Sequence, residues 1–275
     1  MRALFDRRSW LAALAAINAC ALLTPVRAIA QQPPAQDPPG DTLLTTFYKD
    51  PRPERLIGFF DQLRTLPAAQ SWEAFPPVAG FFAFVFRTHP DKVEKLIPDT
   101  PDAKAAEAIA AALRLSGNQA MYEKFLPRLA KTGRDPALAS VFVNLPPKLE
   151  ELKITTPSNL DILWGAAFAS GQAKFVVMII DYFAQTANLD DTVALDVVRT
   201  VTAMANGSRE IFDQLRARYG VLAARQVVFA ASALWAIQTN AREHEFVSRV
   251  VATYIEQHPG TPAQKALAAT RPKSP

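Results

Sequence analysis

The chain has 275 residues, 49% of them hydrophobic, with one cysteine and a formal net charge of +4. Residues 1–30 hold Arg2, Arg7, Arg8 and Arg27 against Asp6, so the remainder carries 26 Lys and Arg against 25 Asp and Glu, a net +1. That balance leaves no basic field to attract nucleic acid.

The N-terminus reads as a cleavable secretory signal. Arg2, Arg7 and Arg8 form a positive head, Trp10 to Leu23 is an apolar stretch of fourteen residues, and Pro25 breaks it. Ala28-Ile29-Ala30 supplies the small residues that signal peptidase needs, placing cleavage after Ala30 and the mature chain in the periplasm or outside the cell. A membrane-spanning helix needs about 20 apolar residues, more than this stretch has. Arg7-Arg8-Ser9-Trp10-Leu11 is similar to a twin-arginine motif, with Asp6 and Ala12 departing from it, and Ile17-Asn18-Ala19-Cys20 is similar to a lipobox. The general secretory route fits better than either. Cleavage removes Cys20, so disulfides and cysteine-based metal or thiol chemistry are excluded from the mature chain.

Residues 31–40 (QQPPAQDPPG) have four prolines and are predicted to form an extended linker. A single α-helical domain is expected over 41–270, followed by a disordered polar tail at 271–275. Alanine is abundant, glycine is scarce, and Asp50-Pro51, Thr100-Pro101 and Thr156-Pro157 mark helix starts. Phe75 to Phe86 is apolar for twelve residues, and Val221 to Ile237 is apolar except for Arg225-Gln226. Both read as buried core helices. Amphipathic spacing appears in Arg209 to Tyr219, where Ile211, Phe212, Leu215 and Tyr219 share one face, and in Glu245 to Gln257. Around Pro136 to Leu152 an additional element is expected, with short extended pieces at 139–145 and 152–155 left open.

Gly117, Gly171 and Gly207 each mark a helix–turn–helix junction. Positions +4, +5 and +8 are apolar every time: Met121, Tyr122 and Phe125; Phe175, Val176 and Ile179; Ile211, Phe212 and Leu215. Further junctions are predicted near His89-Pro90 and Asn240, giving spacings of 28, 54, 36 and 33 residues. Over residues 76–259 this rhythm resembles tetratricopeptide arrays, although the alanine their consensus has five residues after the glycine is Tyr122, Val176 or Phe212 here. The resemblance implies an all-α fold of irregular stacked hairpins, solenoid-like or closed into one compact domain.

No residue is assigned a catalytic, cofactor-binding or metal role, and no cofactor is expected. His89-Pro90-Asp91 spells the tripeptide of J-domain co-chaperones, but the preceding Phe81 to Phe86 belongs in a core, so a helix stop is the better reading. His244 lacks a second histidine at position 248, which is Ser248, so no metal-protease helix forms. Asp190-Asp191 and Glu150-Glu151 read as helix-start caps, and Gly207-Ser208 lacks a nucleophile-elbow context. Trp72, Trp164 and Trp235 are expected in the core. The function these features support is an exported scaffold that engages a protein or peptide partner, since stacked hairpins present extended binding faces. A lipid carrier lined by the phenylalanines of 75–86, with peripheral membrane contact, is the alternative, and an enzyme built from Asp, Glu, Arg, Tyr and the three histidines is the third.

Overall fold

The computed structural model describes residues 39–65, 74–208 and 210–269. The expected signal, Cys20, Trp72, Arg209 and the 271–275 tail lie outside the described residues, as does the predicted linker up to residue 38. A helix begins at Pro39, within the expected linker, because proline lacks only an N–H that a first turn leaves unbonded anyway.

The described residues form an all-α fold, with no strand among them and one isolated bridge between Ser116 and Lys148. The pieces at 139–145 and 152–155 are therefore not strands. Pro136–Phe142 is a helix and Leu149–Glu151 a 3-10 turn. The described residues divide into two compact units, those up to residue 175 and those from residue 176 onward.

In the first unit the helices are α1 (Pro39–Thr46), α2 (Phe59–Leu63), α3 (Phe75–Thr88), α4 (Val93–Leu96), α5 (Ala103–Leu115), α6 (Gln119–Ala130), α7 (Pro136–Phe142) and α8 (Pro157–Ser170). Helix α3 is central, packing against both α5 and α8, while α1 rests on α8 and α5 also contacts α6 and α7. That position explains a helix apolar nearly all round: Phe75, Val78, Phe81, Phe82, Val85 and Phe86 are all buried. Pro76 and Pro77 open it without loss, and His89 closes it, its N–H donating to the Val85 carbonyl. Pro90 falls in the following turn and does not open the next helix.

Helices α3 and α8 meet backbone to backbone. A β-carbon on Gly80 would overlap the Ile162 carbonyl, and one on Gly165 would overlap the Pro77 carbonyl. At the N-terminus of α8, Asn159 Oδ1 accepts from the Thr155 and Thr156 N–H groups at 3.1 Å each, so the predicted Thr156-Pro157 start is satisfied by side-chain capping. The start predicted at Thr100 falls two residues later: Asp102 is the cap, accepting from the Ala105 N–H at 2.8 Å. Asp50 caps no α-helix. Its carboxylate binds Arg52 and Arg55.

The second unit holds most of α9 (Ala173–Ala187), with α10 (Asp191–Ala205), α11 (Glu210–Glu243), α12 (Glu245–Gln257) and α13 (Pro262–Ala269). Helix α10 packs against α11 and α13, and α12 packs against the same two. Helix α11 is long and apolar enough to cross a membrane, yet it is broken at Gly220, whose φ of 74° and ψ of 172° no helix contains.

The predicted glycine corners are present. Gly117, Gly171 and Gly207 all have positive φ and all lie between helices, where a residue without a β-carbon satisfies the last carbonyls of the preceding helix. Met121, Phe125, Phe175, Val176, Ile179 and Leu215 are buried as the spacing predicts, whereas Tyr122, Ile211 and Phe212 are half-buried. The junction predicted near Asn240 lies at His244. Asn240 is buried inside α11, its carbonyl accepting the His244 N–H at 2.8 Å, so the helix runs one turn further than the sequence suggests.

Candidate functional site

In the second unit a buried carboxylate organises the surface at the break in α11. Asp196 faces inward from α10, with its side chain 4% exposed. Its Oδ2 accepts hydrogen bonds from the Arg218 guanidinium at 2.5 Å and from the Tyr219 hydroxyl at 2.8 Å, and its Oδ1 accepts from Arg199 at 3.4 Å. Arg218 and Tyr219 occupy the last turn before Gly220, so the ion pair and the hydroxyl bond tie that end of the helix to α10. Burial, and the anionic acceptor of its proton, push the Tyr219 hydroxyl above its ordinary pKa.

Immediately beyond the break, Val221 and Leu222 are 64% and 79% exposed. The sequence places both in a buried run, and the structure corrects this. Gly220 redirects the chain before the core-facing stripe resumes at Ala224, Val227 and Val228, leaving two apolar side chains on the outside of the bend. Nothing lies within 4 Å of where a Gly220 β-carbon would stand, so the bend is open. Leu195, next to Asp196 in sequence, is also exposed, and Arg216, Arg218 and Arg225 are exposed on either side of the bend. The Arg225 guanidinium lies 5.0 Å from the Phe229 ring centroid, a cation–π contact that fixes its position.

This arrangement was hidden in the sequence. Counting forward from Gly220, positions +4, +5 and +8 are Ala224, Arg225 and Val228, so the charged +5 residue breaks the rhythm that marks the other corners. Tyr219 reads as a member of the apolar stripe, and its hydroxyl becomes relevant only when Asp196 is brought opposite it.

The residues considered from sequence fall elsewhere. Asp190 caps α10, its Oδ1 accepting from the Val193 N–H at 2.9 Å, while Asp191 pairs with Lys265 at 3.0 Å. Glu150 is shared between Arg87 at 2.8 Å and Lys174 at 2.5 Å. Burial raises its carboxyl pKa, but hydrogen bonds from Lys174 and Arg87 outweigh burial and hold it at about 2. His89 and His258 close helices α3 and α12, and His244 precedes α12. The His258 ring stacks on Tyr254 with centroids 4.0 Å apart, and its Nδ1 lies 2.9 Å from the Tyr254 carbonyl. Among the described residues no group of three or more His, Cys, Asp or Glu is placed to hold a metal ion.

The phenylalanines of α3 pack on other rings of the first unit. Phe82 lies 4.6 Å from Phe60, 5.4 Å from Phe59 and 5.5 Å from Phe86, and Phe81 lies 5.2 Å from Phe47. These rings contact one another in edge-to-face and tilted arrangements. Trp164 is buried in α8, stacked on Phe168, and its Nε1 finds no hydrogen-bond partner among the described residues. Trp235 is half-buried in α11.

No protein-family model, no curated protein and no solved structure matches this chain.

Proposed function

We propose that this chain is an exported helical scaffold that engages a protein or peptide partner in the bacterial envelope, and that the corner at Gly220 is its contact surface. One observation carries the reading: Val221 and Leu222 stand exposed beside Arg218 and Tyr219, whose side chains are already held by Asp196. Exposed apolar side chains cost free energy in water, and covering Leu222 alone recovers roughly 1.5–3 kcal/mol. Tyrosine and arginine are the residue types that dominate binding energy in protein interfaces. Side chains fixed before the encounter lose less conformational entropy on binding. The envelope location follows from the secretory signal expected in residues 1–30.

Site-specific photo-crosslinking tests the proposal. A crosslinking residue at position 222 is compared with one at Arg249, which is 72% exposed on α12 of the same unit. A discrete adduct from position 222 and none from position 249, in intact cells of the native organism, is the expected result. Indistinguishable labelling from the two positions would remove the corner from consideration.

A further inference from the structure

Resting on the reading of the Gly220 corner as a contact surface, we infer that its partner is an acidic amphipathic segment of another protein. The segment's carboxylates pair with Arg199, Arg216, Arg218 and Arg225, and its apolar side chains cover Val221 and Leu222.

Charge complementarity carries the first part. From Gln214 to Arg242 the chain has no Asp or Glu, while Arg216, Arg218 and Arg225 are exposed within that stretch. The carboxylate that contacts this surface, Asp196, is buried and already engaged by Arg199, Arg218 and Tyr219. The other acidic residues of α11 on the near side, Glu210 and Asp213, stand in its first turn, before the corner. Arg218 spends one nitrogen on Asp196 and keeps its side chain 51% exposed, leaving further donors of a five-donor fork facing solvent. A surface with surplus cations and exposed apolar atoms is complementary to a ligand with carboxylates beside an apolar face.

The residue types favour a protein over a bilayer. No lysine occurs between Phe175 and Gln264, so apart from His244 and His258 every basic side chain of this region is arginine. Arginine's planar fork matches a carboxylate in a bidentate geometry, whereas lysine is a point charge. Surfaces that settle into membranes combine Lys or Arg with Trp, Phe or Leu on the apolar side, and aromatic rings are enriched at the headgroup level. At this corner the exposed large hydrophobic residues are Val221, Leu222 and Leu195, with no aromatic among them. Arg218 is held by Asp196, and Arg225 is held over Phe229, so the surface has fixed donors of the kind that recognise a shaped partner.

The test uses the full chain and two fluorescein-labelled probe peptides of about eighteen residues. One is an amphipathic helix with glutamates on its polar face and leucines on the other, and the second is the same peptide with lysines for the glutamates. Anisotropy is read at about 0.05 M and about 0.3 M NaCl, a range over which the screening length falls markedly. The acidic probe should bind, the lysine probe should not, and affinity should drop about tenfold or more at the higher salt. Leu222→Asp and Arg216→Glu should each weaken the acidic probe about tenfold or more without changing the thermal transition, since these side chains are exposed.

Equal binding of the two probes, or none by either, overturns the inference. Capture of the chain by phosphatidylglycerol vesicles, lost in Leu222→Asp, would reassign the corner to a lipid surface and overturn it as well. If the acidic probe fails while position 222 still crosslinks to a protein, the acidic partner falls and the contact surface stands. If crosslinking fails too, both fall.

Discussion

Gly80 and Gly165 are reciprocal partners: each lets the carbonyl of the other helix occupy the space its own β-carbon would take. The crossing of α3 and α8 is the centre of the first unit, and it exists because neither position carries a side chain. Gly80→Ala and Gly165→Ala should each destabilise the unit by about 2 kcal/mol or more, because backbone atoms cannot swing aside as a flexible side chain could. The double variant should cost less than the sum, since the first alanine already forces the helices apart. Chemical denaturation of the four proteins measures both effects.

Gly220 presents the opposite case. A β-carbon there meets nothing, but its φ of 74° and ψ of 172° lie in a region that glycine alone populates readily. Gly220→Ala should therefore cost about 1–3 kcal/mol through backbone strain without any clash. It should also move Val221 and Leu222, so crosslinking from position 222 should change in this variant. Retention of both wild-type stability and crosslinking would show that the bend does not need glycine.

The Asp196 knot predicts a coupling energy. Asp196→Asn and Tyr219→Phe, alone and together, form a double-mutant cycle whose interaction term should be about 1–2 kcal/mol, as for a hydrogen bond to a charged acceptor. In Asp196→Asn the Tyr219 hydroxyl should also titrate at lower pH than in the wild type, read by ultraviolet absorbance at the phenolate band. Burial would remain, so the return toward the ordinary tyrosine value should be partial.

Glu150 sets an acid limit on the first unit. Its carboxyl titrates near 2 in the folded chain against an ordinary 4.5, so it stabilises the fold fully above the unfolded value. That contribution is lost as pH falls from about 5 through about 2. The side chain is 34% exposed, so screening limits the effect to about 1 kcal/mol. Glu150→Gln should flatten the stability profile between those pH values, and high salt should reduce the difference between the two proteins. A wild-type profile already flat in that window would rule out the assignment.

The elements legible in the sequence are those governed by local chemistry. Proline and capping side chains announce the start of α8, and glycine before an apolar stripe announces the corners at Gly117, Gly171 and Gly207. The uniformly apolar Phe75 to Phe86 reads correctly as core, because only a helix surrounded by others tolerates such a composition. What could not be read depends on residues distant in sequence. Gly80 and Gly165 look like ordinary interior glycines until α3 and α8 are laid across each other. Asp196 reads as a polar residue of an amphipathic helix, and only the return of α11 places Arg218 and Tyr219 against it. Asn240 misled for a related reason: a polar residue between apolar ones resembles a turn, but here it is buried in a helix that continues for one more turn.

The partnership between α3 and α8 also has a consequence for biosynthesis. The phenylalanine-rich α3 is made well before residues 157–170 exist, so its sticky surface waits without its main cover while the intervening helices are translated. Docking against α5 shields one side early, and the glycine-lined side stays open until α8 arrives. Nascent chains stalled or truncated before Pro157 should accordingly be the forms that aggregate and recruit chaperones.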